Sequence, residues 1–291
     1  MRLRRLRIPG DTKPVKRSSL RLAAGKRYFT WKRRLYWWFG GVTFAKRRET
    51  SPLPYPVFRY DTPTLRKLKD VEMWMQHNKE INLALAVRRL SGIVIRPGET
   101  LSYWRTIGKP TKRKGYMPGM VLFYGGFKAG VGGGLCQLSN LIYWMTLHSP
   151  LTVVERHRHS YDVFPDAGRT QPFGSGATCA YNYLDLMIRN DTEADYQLVL
   201  ELREHRLYGE WRSAAASVLR YEIYEREHRI TQAYWGGYER SNQIGRRTWN
   251  AADELVADEL VAENRALMMY APLLKAEGEN DVNLSHKGGA S

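Results

Sequence analysis

Cysteine is almost absent from this chain, with two residues, Cys136 and Cys179, in 291. Two thiols cannot supply the disulfide framework on which small secreted domains depend, so the fold must rest on its core and the expected compartment is reducing. Long apolar runs are also lacking. The best candidate, Leu35 to Ala45, would extend about 16 Å as a helix against a hydrocarbon layer of roughly 30 Å, and no small-residue cleavage site follows it. Neither a membrane-spanning helix nor a secretory signal is expected, which points to the cytoplasm. Acids are missing from one region. Residues 1–48 carry 16 Lys and Arg and a single acid, Asp11, so this segment holds nearly all of the formal charge of +17.

What is present includes 43% hydrophobic residues with 18 Tyr and 9 Trp, enough for a real core. The basic segment encloses Tyr36, Trp37, Trp38, Phe39 and Phe44 between Lys32-Arg33-Arg34 and Lys46-Arg47-Arg48. Aromatic rings between basic clusters suit the headgroup level of an anionic leaflet, so residues 1–48 are expected to bind the inner face of a membrane peripherally. A nucleic-acid-binding arm is the competing and less favoured reading.

Four regions follow from composition: a basic tail over 1–50, partly disordered or lying on a membrane, a core over 51–204, a β-rich extension over 205–275, and a disordered tail over 276–291. Within the core, Ser51 to Pro56 reads as a stiff linker and Thr64 to Leu90 as mostly helix. Leu135 to His148 is apolar nearly all round and reads as a buried helix. Strands are expected at Ile93–Ile95, Met120–Tyr124, Leu151–Glu155, Tyr161–Phe164, Thr178–Arg189, Tyr196–Arg203 and Val218–Tyr224, with Asn190 to Ala194 as a hairpin connection. The doublet DELVA-DELVA at 253–262 has a period of five, which matches neither helix nor strand, and reads as a local duplication. The fold class is α+β, with a buried helix carrying Cys136 at its N-terminus packed on a mainly antiparallel sheet.

The run Gly130-Val131-Gly132-Gly133-Gly134-Leu135-Cys136-Gln137 places a thiol where that helix begins. A helix N-terminus favours negative charge, so Cys136 is expected as an ionised nucleophile. Backbone N–H groups of Cys136, Gly133 and Gly134, with the Gln137 amide, would stabilise an oxyanion. The base is sought in Glu155-Arg156-His157-Arg158-His159-Ser160, where His159 is preferred over His157. His157 and His159 with Cys136 or Cys179 form a rival zinc constellation, set aside because the helix terminus already accounts for the thiol. No metal and no cofactor is expected.

These residues form an ordered series that resembles the VanW family: Asn82-x-x-x-Ala86, Gly92, Pro97-Gly98-Glu99, Ser102, Gly108, Gly115-Tyr116, Gly132 to Gln137, Glu155-Arg156-x-x-His159-Ser160, Gly174-x-x-Ala177-Thr178, Asp185-Leu186 and Asn190. The resemblance implies cell-wall chemistry. Some secreted relatives are similar to L,D-transpeptidases whose cysteine joins peptidoglycan stem peptides. Carried over, it makes Cys136 the nucleophile and His159 the base, with Gly133, Gly134, Gln137, Arg156 and Ser160 around the substrate, a peptidoglycan stem peptide or its precursor. Many relatives have Asp where this chain has Gly176, and Asp185 or Asn182, on the same expected strand, is a candidate substitute for that orienting carboxylate, with Asp162 as another option. The alternative is a non-catalytic module that binds stem peptides or a resistance enzyme.

Overall fold

The computed structural model describes residues 18–66, 71–163 and 171–272. In chain order these form α1 (Ser19–Phe39), β1 (Tyr55–Pro63), α2 (Met73–Leu90), β2 (Ile93–Ile95), β3 (Thr100–Ser102), α3 (Tyr103–Ile107), β4 (Pro118–Phe123), β5 (Gly126–Val131), α4 (Cys136–Leu147), β6 (Thr152–Glu155), β7 (Tyr161–Asp162), β8 (Met187–Arg189), β9 (Tyr196–Arg203), β10 (Arg206–Ser213), β11 (Arg220–Gln232), β12 (Tyr238–Trp249) and β13 (Leu255–Met268). The molecule is α+β, with strands paired antiparallel except where β7 meets β13.

The sheet β1-β10-β9-β2 supports the core. Helix α4 lies on β1 and β10, and α2 lies on β9 and β4. Nine residues of α4 are buried, among them Leu138, Leu141, Ile142, Tyr143 and Met145, as expected of a helix with apolar residues on nearly every side. Trp211 of β10 is fully buried and donates its indole N–H to Thr146 Oγ1 of α4 at 3.2 Å. A smaller sheet, β3-β8-β6, and the hairpin β4–β5 flank this layer.

Several expectations need correction. Residues 55–63 are a strand rather than part of a linker to a helix, because β1 pairs with β10 along its whole length. The Thr64 amide extends that pairing to the His205 carbonyl at 2.8 Å, so the helix starts at Met73 and not at Thr64. Asn190 to Ala194 is not a hairpin turn. It carries the chain from β8 in one sheet to β9 in another, held by the Asn190 amide, which donates to the Ile95 and Ala194 carbonyls at 2.8 and 2.7 Å. Of Thr178–Arg189 only β8 is a strand, and Phe164, at the end of another expected strand, lies outside the described residues. The same holds for residues 276–291 and for 1–17 of the basic tail. The border drawn between 204 and 205 falls in the turn joining β9 to β10, two strands of one sheet.

The extension β11-β12-β13 is a long antiparallel ribbon, and it explains the DELVA doublet. Across β12–β13, Ile244 faces Ala262 while Gly245 faces Leu260, and Thr248 faces Ala257 while Trp249 faces Leu255. Val261 and Val256 are therefore the extra residues of two bulges. One bulge per five residues restores an even repeat, so equivalent positions of the two copies return to the same face of the strand.

Residues 18–50 lie against the core. The inner side of α1 holds Arg33 and Trp37, and beyond it Phe44 and Ala45 are buried, with bridges from Phe44 to Thr100 and from Arg48 to Ile93.

Candidate functional site

The glycine-rich run leaves β5 and turns sharply into α4. Gly132 and Gly134 have φ of +77° and +87°, and a Cβ on Gly133 would lie 2.1 Å from the Gly119 carbonyl carbon. Close backbone packing thus accounts for the glycines. Their amides are engaged, Gly133 N–H with the Gly130 carbonyl at 2.9 Å and Gly134 N–H with the Met120 carbonyl at 2.9 Å. Among the described residues, the amides of Leu135 and Cys136 have no backbone acceptor. The oxyanion donors available here are accordingly those two, and not Gly133 and Gly134.

Cys136 is the first residue of α4 and half-buried. Burial pushes its thiol above the ordinary value, outweighing the lowering effect of backbone hydrogen bonding at Cys179 and at Cys136 itself. The S–H donates to the Cys179 carbonyl at 3.5 Å. The thiol is therefore neutral at pH 7 in this conformation, where the sequence alone leads one to expect a thiolate. Cys179 is buried, and burial raises its thiol well above the ordinary range.

Gln137 points away from any oxyanion. Its amide donates to Thr62 Oγ1 and to the Pro63 carbonyl, both at 2.9 Å, tying α4 to the end of β1. Arg156 donates to the Gly176 carbonyl at 2.9 Å and to the Gly174 carbonyl, and stacks over Tyr143 at 4.8 Å, so it holds the loop after residue 171 onto α4. The position of Gly176 is occupied by Asn140, whose Oδ1 would lie 2.7 Å from a Cβ there and accepts from the Ala177 amide at 2.8 Å.

His159 and Ser160 lie where the chain leaves β6 for β7. There the Leu267 amide of β13 donates to the Ser160 carbonyl at 3.0 Å. Both residues line a shallow cleft with Leu122, Phe123, Tyr124 and Gly125 at the tip of the β4–β5 hairpin. Cys136 is not in the lining of this cleft. Burial lowers His159 to about 4, so the ring is neutral at pH 7, and among the described residues it has no hydrogen-bond partner. Asp185 is on neither side chain. It is fully buried, accepts from Ser102 Oγ at 2.5 Å and from the Trp104 amide at 2.9 Å, and fixes the start of α3. Burial lifts its carboxyl to about 7.

The side chains that do converge are Glu155, His157 and Arg33. His157 Nε2 lies 2.8 Å from Glu155 Oε1, and Arg33 donates to both Glu155 oxygens, at 2.5 and 2.7 Å. The Asp185 amide adds a bond to Glu155 Oε1 at 3.2 Å. Burial would raise the Glu155 carboxyl, but hydrogen bonds from His157 and Arg33 outweigh it and hold it below the ordinary value. The Thr178 amide donates to the His157 carbonyl at 2.8 Å, next to the Cys179 carbonyl that receives the Cys136 thiol. The i, i+2 spacing of Glu155 and His157 puts both on one face of an extended chain, a signal legible in sequence. Nothing local marks Arg33, which is 122 residues away from Glu155. Among the described residues, no three His, Cys, Asp or Glu side chains form a group that could hold a metal ion.

Comparison with known proteins places this arrangement. Residues 78–212, from α2 to the end of β10, match the family described as VanW like protein. The vancomycin B-type resistance protein VanW of Enterococcus faecalis is 30% identical over 245 residues, which is 84% of this chain and 89% of that protein. An uncharacterized Bacillus subtilis protein, YoaR, is 29% identical over 109 residues, 38% of this chain and 34% of its own length. No solved structure matches the chain. With identity extending over most of both sequences, the chain belongs to the VanW family, linked to vancomycin resistance by the name of its Enterococcus faecalis member.

Proposed function

We propose that the protein is a cysteine-dependent acyl-transfer enzyme acting on peptidoglycan stem peptides or their precursors. The observation that carries this reading is the half-buried thiol of Cys136 on the first residue of α4, beside the amides of Leu135 and Cys136, which among the described residues have no backbone acceptor. A nucleophile and two oxyanion donors at one helix terminus are the parts that attack on a carbonyl requires. In the proposed step Sγ bonds to the carbonyl carbon of the third stem residue, and the thiol proton passes to the His159 imidazole. The C–N bond to D-Ala then breaks, the leaving amine takes that proton, and an amine or water resolves the thioester. The resting thiol and the resting imidazole are both neutral, so in this step the proton leaves sulfur for the ring as Sγ attacks.

A second reading, a non-catalytic module that binds stem peptides or a resistance enzyme, is favoured by the hydrogen bond that occupies the thiol and by Asn140 in the space of the family carboxylate. Incubation with a stem tetrapeptide followed by intact-protein mass spectrometry separates the two. The enzymatic reading expects a thioester on Cys136 that Cys136→Ala abolishes and Cys179→Ala retains. If no adduct forms and the tetrapeptide binds wild type and Cys136→Ala equally, the binding module stands.

A further inference from the structure

The geometry points to the outward face of α1 as an interfacial anchor that binds the surface of an anionic lipid bilayer. The helix is amphipathic in an inverted sense. Arg33 and Trp37 turn inward, Arg33 onto Glu155 and Trp37 onto the hydrophobic core. The Thr30 carbonyl accepts from Asn182 on the same side. Tyr28, Trp31, Leu35 and Trp38 recur at spacings of three and four, so they share one face, and that face is exposed. Trp31, Leu35 and Trp38 are 51%, 50% and 61% exposed. Large apolar side chains this concentrated are unusual on a surface that faces only water.

Charge selects the occupant. Arg21, Arg27 and Lys32 flank the apolar stripe, Arg34 stacks over Trp31 at 5.0 Å, and α1 contains no acid. A second copy docking through this face would oppose two sets of like charges, and an acid-free helix offers it no counter-charge. Anionic headgroups supply that charge while the rings enter the interface between headgroup and acyl chain. No helix of the described residues is long and apolar enough to cross a membrane, and α1 with six basic residues fits the plane of the interface. The pairing of Arg33 with Glu155 links this anchor to the Cys136 terminus through His157 and the Thr178–Cys179 segment, so a bound protein would hold its site at a fixed height above the lipid.

The test is co-sedimentation of the full chain with vesicles of phosphatidylglycerol and phosphatidylcholine, and with phosphatidylcholine alone. Each basic residue at the surface is worth about fivefold in partitioning, so Arg21→Gln, Arg27→Gln and Lys32→Gln together should weaken binding about 100-fold. A control that removes the same charge elsewhere, at the exposed Arg59, Arg203 and Arg229, should change it less than threefold. Trp31→Ala with Trp38→Ala should abolish the blue shift of tryptophan emission on anionic vesicles while leaving the circular dichroism unchanged. Equal loss in the control would show diffuse charge and overturn the proposal. So would binding to RNA but not to vesicles, or a dimer in sedimentation velocity that the tryptophan variant dissociates.

Discussion

Replacing Asp185 by Asn tests whether burial keeps this carboxyl protonated in the folded protein. Asp185 is completely buried, and burial lifts its carboxyl from 3.8 to about 7 despite hydrogen bonds from Ser102 and the Trp104 amide. The folded protein therefore keeps a proton here that the unfolded chain has already released above pH 4. The folded state binds more protons in this window, so stability must fall as pH rises, by up to about 1.4 kcal/mol per unit, and level off above the folded value near 7. Between pH 5 and 7 the accumulated loss is about 2.5 kcal/mol. In Asp185→Asn the amide oxygen still accepts from the Trp104 and Leu186 amides. The new N–H faces Ser102 Oγ, which already accepts from Arg105 at 3.1 Å. Urea denaturation of both proteins at pH 5, 6, 7 and 8, followed by tryptophan fluorescence, should show the stability of wild type relative to Asn falling steadily up to pH 7. A gap that does not change with pH would mean that Asp185 is ionised throughout, and the reasoning about its burial would be wrong.

Other perturbations have equally direct readouts. Gly133→Ala drives a Cβ into the Gly119 backbone and should cost about 3 kcal/mol, whereas Gly126→Ala, whose Cβ meets only the Phe123 carbonyl at 3.8 Å, should fall within 1 kcal/mol of wild type in the same thermal melt. Arg33→Ala removes the inward anchor of α1 from Glu155, costing about 2 kcal/mol, and should speed tryptic cleavage at Lys26 and Arg27 without changing cleavage elsewhere. Because Glu155 is held below its ordinary value, the cost of Arg33→Ala should be full at pH 7 and shrink as pH falls through the carboxylate range. Alkylation of Cys136 by iodoacetamide in the free protein should rise about tenfold per pH unit through pH 8, since the thiol is raised by burial. A plateau below neutrality would contradict that environment.

The α+β class was legible because the strongest local patterns agree with their surroundings. Residues of α4 are apolar on nearly every side and nine of its twelve are buried, and Tyr196–Arg203 alternates and forms β9 with the bounds read from the sequence. Patterns that depend on a distant partner were misread. The prolines at 52, 54 and 56 suggest a linker, yet from Tyr55 onward the chain is an edge strand of the central sheet, where proline is tolerated. The site divides in the same way. Glycine density before Cys136 forecasts a sharp turn into a helix, and that turn exists. The thiolate expected at that turn is instead a neutral thiol, because a helix dipole acts locally whereas burial depends on the Cys179 segment packed against it.

The sequence by itself determined the composition of the layers, the helix start at Cys136 and the concentration of net positive charge in residues 1–48, because each follows from contacts within a few residues or from composition. Tertiary structure alone decided that Arg33 reaches Glu155, that Asp185 serves α3 rather than an imidazole, and that the five-residue DELVA period becomes regular through two bulges. Those outcomes depend on pairings across tens to more than a hundred residues, which local propensity does not encode and packing does.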